Sequence, residues 1–166
     1  MLQKRRDLVK NRTIKGILMI SNLRMIVAGG GTGGHFFPAQ AIRHSLIKKG
    51  VNVKYIGSQY GIEATLLDND NSDITLLNIR GIQRHFSIKS ILINCLFPLH
   101  FLDSYIKSRK IIKDFKPHVV IGTGGYSSGL PLLAAIHKGI KTIIHEQNSF
   151  PGITTRKLIK KVDKVC

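Results

Sequence analysis

The feature that most restricts the fold is a glycine run set between a strand pattern and a helix pattern. The apolar stretch Arg24–Ala28 leads straight into Gly29-Gly30-Gly31-Thr32-Gly33-Gly34-His35, and a helical pattern opens at Pro38. Glycine lets the backbone turn through conformations closed to other residues and approach a ligand closely. The amides at a helix start favour negative charge beside such a turn. A phosphate or diphosphate is therefore the natural guest, and a tight strand–helix turn with no ligand is the plainer alternative. Gly29, Gly31 and Gly34 also satisfy the G-x-G-x-x-G spacing of dinucleotide-binding turns, but that spacing alone is weak. The nicotinamide version expects an acid at the end of the second strand to hold the ribose hydroxyls. Here that strand ends Tyr55-Ile56-Gly57-Ser58-Gln59, with no acid before Glu63. No lysine follows the glycines, which excludes a P-loop.

The rest of the chain repeats the same alternation. Short β-branched runs at Val53–Gly57, Ile74–Ile79, His118–Gly122 and Lys141–His145 read as further strands. Between them the spacing predicts helices over Pro38–Lys49, Ile62–Asp68, Ile88–Phe115 with a break near Pro98, Leu130–His137 and Ile153–Lys161. Pro38 and Pro131 fit first helical turns. Gly50 and Gly139 fit helix ends. Strands alternating with helices predict an α/β fold: a Rossmann-like parallel sheet with flanking helices. The 166 residues allow one such domain. It is expected over 24–166, preceded by a basic extension over 1–23 that has no place in the sheet. The segment Met1 to Lys15 reads as upstream sequence from an early start, with a membrane-surface or flexible arm as the alternative. Lys164-Val165-Cys166 reads as the opening of another strand. Because a chain ending inside a strand exposes an unpaired edge, truncation is the expectation there.

Two more clusters follow strands and so fall on the same sheet edge. Gly122-Thr123-Gly124-Gly125-Tyr126-Ser127-Ser128-Gly129 comes after the fourth strand, and His145-Glu146-Gln147-Asn148 ends the fifth. Open α/β sheets bind ligands outside the carboxyl ends of their strands. Two glycine turns there suggest a diphosphate held between two sets of backbone amides. A histidine, a carboxylate and two amides can position hydroxyls or handle a proton. A capping and turn network before the next helix is the bland alternative for His145–Asn148. For His35 it is packing or capping at the helix start.

Charge narrows the partners. Lys and Arg number 26 against 9 Asp and Glu, a net charge of +17, which draws the protein toward polyanions. The basic residues are spread along helical patterns without the aromatic–basic motifs of RNA-binding modules. A membrane face or a diphosphate ligand therefore fits better than nucleic acid. The longest apolar run, Ile91 to Leu102, is broken by Asn94, Pro98 and His100 and falls short of the ~20 residues that span a bilayer. Its apolar residues Ile91, Leu92, Leu96, Phe97, Leu99, Phe101 and Leu102 are bordered by Lys89, Lys107, Arg109 and Lys110. That pattern suits shallow insertion into an anionic bilayer or packing on the sheet. Ile17–Ile20 is too short for a signal peptide. Cys95 and Cys166 form no disulfide framework or metal spacing.

Taken together, three motifs resemble the N-terminal domain of the MurG family of glycosyltransferases. They are Gly30-Gly31-Thr32-Gly33-Gly34-His35 with Phe37-Pro38-Ala39; Gly124-Gly125-Tyr126-x-Ser128-Gly129; and His145-Glu146-Gln147-Asn148 with Pro151-Gly152 and Thr154. They occur in the family's order and spacing over about Arg24 to Cys166. The resemblance implies the N-terminal, acceptor-binding half of a GT-B glycosyltransferase that works with inversion and uses no metal or cofactor. It implies transfer of N-acetylglucosamine from UDP-GlcNAc to the muramyl pentapeptide on undecaprenyl diphosphate, lipid I to lipid II, in peptidoglycan synthesis. Thr32, Gly33 and Gly34 then match the loop that reaches the donor, and Asn148 matches a donor-contacting amide. His35 is the candidate base or orienter, with Glu146 the second candidate catalytic group. Tyr126, Ser128, His145 and Glu146 match the acceptor side. The implied partners are UDP-GlcNAc, lipid I, an anionic membrane surface and a C-terminal donor-binding domain beyond these residues. The implied place is the cytoplasmic face of the bacterial plasma membrane, as a peripheral protein. Two departures stand out: Leu130 precedes Pro131 where the family has proline directly after Ser-Gly, and Thr155 stands where it has Asn. Alternatives are the acceptor subunit of a split dolichol-type transferase, a nicotinamide-dependent oxidoreductase, and a non-catalytic lipid-diphosphate-binding stub.

Overall fold

A computed structural model describes residues 22–67, 71–81 and 88–166, without side-chain detail at 88–94. The segment Met1 to Lys15, Ile17–Ile20, Asp68, and the side chains of Lys89, Ile91 and Leu92 lie outside the described residues. Among the described residues, six strands pair in one parallel sheet: β1 (Arg24–Ala28), β2 (Asn52–Ser58), β3 (Ile74–Leu77), β4 (Val119–Gly122), β5 (Lys141–Ile144) and β6 (Lys164–Val165). Their order is β3-β2-β1-β4-β5-β6. The described helices are α1 (Gly33–Lys48), α2 (Glu63–Leu66), α3 (Ile88–Phe115), α4 (Gly125–Ile136) and α5 (Ile153–Leu158). With the first strand central and the chain running outward first to one side and then the other, this is the doubly wound arrangement expected from the alternation.

Alternation along β1 sorts the core, because successive strand residues face opposite sides of a sheet. Ile26 and Ala28 face a cluster with Ile56, Leu77, Val120, Leu132 and Ile144, while Val27 joins Phe36, Ala39, Val53 and Tyr55 on the other side. Both sets are almost fully buried, and burying each large aliphatic side chain contributes about 1.5–3 kcal/mol. Ser104, Ser108 and Ile112 are the buried stripe of α3, and Ile112 joins the first of these clusters. The register then fixes where the chemistry lies. Ala28 pairs with Gly122, and Gly122 with Ile144. The three strand ends are level, so the segments after β1, β4 and β5 leave the sheet side by side.

Strand limits agree with the sequence to within two residues, and the strand expected from Lys164 is present as β6. The helix starts at Ile88 and Ile153 agree as well, and that expected at Ile62 falls at Glu63, but two others do not. Helix α1 begins at Gly33 rather than Pro38, and α4 at Gly125 rather than Leu130. Helix α3 runs unbroken past Pro98. Pro38 and Pro131 thus sit in the second turns of their helices. Much of what reads as glycine loop is helix N-terminus, because tertiary packing supplies what helix propensity lacks there.

Candidate functional site

The first glycine turn is held from several sides. Gly30 and Gly31 have φ of +148° and +86°, values that L side chains rarely adopt. The buried Tyr55 hydroxyl donates to the Gly29 carbonyl, and burial pushes its pKa far above the phenol range. Thr32 then closes the turn in an extended conformation, and its carbonyl accepts from Phe36 N at 2.9 Å and His35 N at 3.1 Å. Its hydroxyl is hydrogen-bonded to His35 Nδ1 at 2.9 Å. Nε2 is therefore the ring nitrogen left for a substrate. The Thr123 hydroxyl donates to the His35 carbonyl at 2.7 Å, tying α1 to the turn after β4.

That second turn is built around the imidazole. Gly124 and Gly125 have φ of +88° and +74°. A Cβ on Gly124 would lie 2.7 Å from His35 Cδ2, 3.0 Å from Nε2 and 3.8 Å from Glu146 Oε2. A Cβ on Gly125 would lie 2.7 Å from the Gly30 carbonyl oxygen. Only glycine lets the two turns and the imidazole come this close. The Tyr126 ring covers Gly31, whose Cβ would be 2.8 Å from it. Burial pushes the Tyr126 hydroxyl up. Ser128 is fully buried and its hydroxyl donates to the Gly125 carbonyl at 3.1 Å, so it shapes the start of α4 from inside.

The third cluster closes the group. Glu146 Oε1 accepts from the Asn148 amide at 3.2 Å and from Asn148 Nδ2 at 2.9 Å. Burial alone would raise the Glu146 carboxyl, but Thr155, Asn148 and Gly152 outweigh it and hold the group below its ordinary range. Asn148 is exposed and His145 partly so. The backbone of this turn is fixed through β6: Cys166 N donates to Ile144 O at 2.8 Å, and Glu146 N to Cys166 O at 2.9 Å.

His35, Thr32, Gly33, Gly34, Tyr126, Glu146, Asn148 and His145 thus share one edge of the sheet. Two features went unseen in the sequence. Gly31 N–H donates to both oxygens of Glu63, at 3.0 and 2.9 Å. That amide is taken, so the amides left for an anion are those of Gly33 and Gly34, which have no partner within the first turn of a helix. Glu63 is fully buried and offers no acceptor to ribose hydroxyls, which removes the support for a nicotinamide site. The second feature is a cavity of about 180 Å³ lined by Tyr60, Asn78, Arg80, Gly81, Leu96, Phe97 and His100. The Arg80 guanidinium lies 3.5 Å from the Tyr60 ring centre. Asn78 bonds both Tyr60 and His100, at 2.6 and 3.1 Å. Gly81 borders Tyr126, so the cavity links the glycine edge to α3. Separate residues from three segments form it, and no local pattern marks them.

Residues 25–166 match the glycosyltransferase family 28 N-terminal domain. A relative from Christiangramia forsetii, named UDP-N-acetylglucosamine–N-acetylmuramyl-(pentapeptide) pyrophosphoryl-undecaprenol N-acetylglucosamine transferase, is 46% identical over 89% of this chain and 40% of its own length. One of the same name from Flavobacterium psychrophilum is 43% identical over 86% of the chain and 38% of its length. The crystal structure of Acinetobacter baumannii MurG superposes with a TM-score of 0.69 at 31% identity, over 87% of this chain and 40% of that one. The chain spans about two fifths of the length of the relatives it matches. With three motifs, a doubly wound sheet and this match in agreement, the chain belongs to glycosyltransferase family 28 and carries that family's N-terminal domain of the MurG type.

Proposed function

We propose that this chain is the acceptor-binding part of an inverting transferase that moves N-acetylglucosamine from UDP-GlcNAc to lipid-linked muramyl pentapeptide, working with a donor-binding domain. The observation that carries this reading is the meeting of His35 Nε2, the Gly124 backbone and Glu146 Oε2 around one point. An attacking sugar hydroxyl needs a nearby group to take its proton, and histidine is the side chain most often used for this. His35 is placed for that role, with Thr32 fixing the ring through Nδ1. Glu146, its carboxyl held below the ordinary range and engaged with Asn148, is a poor proton acceptor. It serves to set Asn148 and the turn. The amides of Gly33 and Gly34 and the α1 dipole favour the leaving diphosphate. Tyr126 and the Arg80 cavity flank the path from this point to α3, where a lipid-linked acceptor would enter.

The membrane side of the reading rests on α3. Leu96, Leu99, Leu102 and Ile106 are exposed, from 50% to 65%, and are spaced three, three and four residues apart, on the face opposite buried Ser104 and Ser108. Lys110 and Lys113 continue the same stripe. Such an apolar face followed by cations suits the interface of an anionic bilayer. No described helix is long and apolar enough to cross a membrane; it is the exposed apolar face and its cations that support the reading of a peripheral protein on the cytoplasmic face. The test mixes the full chain with the donor-binding domain of a relative and follows labelled GlcNAc from UDP-GlcNAc into lipid I. Transfer that needs both parts and is lost in His35→Ala is the expected result. Failure of the chain to bind lipid I, alone or with the donor domain, overturns the proposal.

A further inference from the structure

The stretch Gly57-Ser58-Gln59-Tyr60-Gly61-Ile62-Glu63 delivers a fully buried carboxylate to the back of the first glycine turn. Three glycines make room for it. A Cβ at Gly30 would lie 2.1 Å from Glu63 Oε1, one at Gly61 2.2 Å from Oε2, and one at Gly57 2.9 Å from Cγ. Each of these is closer than real atoms approach, so the site admits this side chain only because all three neighbours lack one. A buried carboxylate is tolerated only when donors surround it. Here Ser58 N donates to Oε1 at 2.7 Å, and Gly31 N is shared between Oε1 and Oε2.

The consequence passes straight to the proposed site. Gly31 is clamped between Glu63 below and the Tyr126 ring above. The next residue, Thr32, is the one whose hydroxyl orients His35. We propose that Glu63 is a positioning residue: its grip on Gly31 N–H sets the conformation of Gly30–Gly31, and through it the aim of the Thr32–His35 pair. It also places negative charge directly behind Gly31, which turns phosphate away from that residue and toward the amides of Gly33 and Gly34. The link to acceptor binding rests on the glycosyl-transfer reading; the link to the turn's conformation does not.

Glu63→Gln separates these roles. The isosteric amide can keep Oε1 as its oxygen toward Ser58 N, while its NH2 takes the place of Oε2, so Gly31 N–H loses the shorter of its two acceptors and meets a donor there instead. The fault therefore falls on the glycine turn and not on β2. In 15N–1H spectra of the full chain, the amides of Gly31 to His35 are expected to shift and to exchange about tenfold faster, as loss of a charge-assisted hydrogen bond implies. Those of Val27 and Val120 should stay in place. Affinity for a short-chain polyprenyl-diphosphate muramyl pentapeptide should fall by a similar factor of about ten. Gly61→Ala is the second variant, since its Cβ would press on Glu63 Oε2, one of the two oxygens that hold Gly31 N–H, and should disturb the same amides. Unchanged Gly31–His35 amides in either folded variant overturn the proposal. So does uniform unfolding of both variants, which would make Glu63 a general core residue. If the wild-type chain binds no acceptor analogue, the glycosyl-transfer reading fails, while the amide shifts still decide the role of Glu63.

Discussion

At the scale of single residues, the Thr32–His35 pair makes the sharpest demand. Thr32 does not cap the backbone of α1 with its side chain; the hydroxyl is committed to Nδ1 of the imidazole. Thr32→Val keeps the shape and removes that bond, leaving a ring free to rotate. If His35 takes the acceptor's proton, kcat in the reconstituted reaction falls by about tenfold in Thr32→Val and by about a hundredfold or more in His35→Ala. Acceptor affinity measured directly should move little in both. Equal losses in binding and in kcat would place the pair in recognition instead of proton transfer. His35 and Glu146 were legible in the sequence because each lies in a segment that leaves the carboxyl end of a strand, and parallel strands put those ends on one edge. Glu63 was not legible. It meets Gly31 from 32 positions away, and a buried acid looks like any other acid until the fold closes around it.

At the scale of elements, two helix starts were misread for a physical reason. Glycine-rich segments are poor helix formers, and proline is expected in a first turn, so Pro38 and Pro131 pointed to starts that are several residues late. Here the first turns are glycine because other backbone and ring atoms press on them. Gly125 and Gly34 separate the two effects. Gly125→Ala meets the Gly30 carbonyl at 2.7 Å with φ of +74° and should destabilise the chain by about 1–3 kcal/mol in chemical denaturation. Gly34→Ala meets nothing within 4 Å and should stabilise it, by up to about 1 kcal/mol. The reverse order would show that packing does not dictate the glycines.

The joint between β5 and β6 carries a pH dependence. The Lys141 ammonium, with the Thr142 amide and hydroxyl, holds the Asp163 carboxyl at about 2. Its folded value lies below its unfolded one, so ionisation favours the fold. That stabilisation is complete above about pH 4 and disappears as pH falls toward 2. The fall in Tm across that window should be shallower in Asp163→Asn, and an equally steep fall would remove Asp163 from the account. Since β6 also holds the Glu146 amide, the variant should loosen the His145–Asn148 turn at neutral pH.

At the scale of the whole molecule, a net charge of +17 and one exposed apolar stripe on α3 act on the same surface but respond to different perturbations. Charge attraction to an anionic bilayer is screened with a Debye length of about 10 Å at 0.1 M salt, and each cation near the surface contributes about 1 kcal/mol. Apolar insertion does not depend on salt in this way. Binding of the full chain to vesicles of mixed anionic and neutral phospholipid, followed by sedimentation, should weaken steeply from low to high salt. It should also remain weak on purely neutral vesicles. Replacing both Leu99 and Leu102, exposed by 65% and 55%, with glutamate removes apolar area worth about 1 kcal/mol or more per residue and adds repulsion. Partitioning should then drop at every salt concentration, without loss of Tm, because neither side chain packs in the core. Binding that ignores the leucines but follows salt would make the attraction diffuse, spread over many lysines with no docking face. Binding that needs both would fix α3 against the bilayer. The Arg80 cavity and the glycine edge beside it would then lie next to the membrane surface, where a lipid-linked diphosphate presents its sugar.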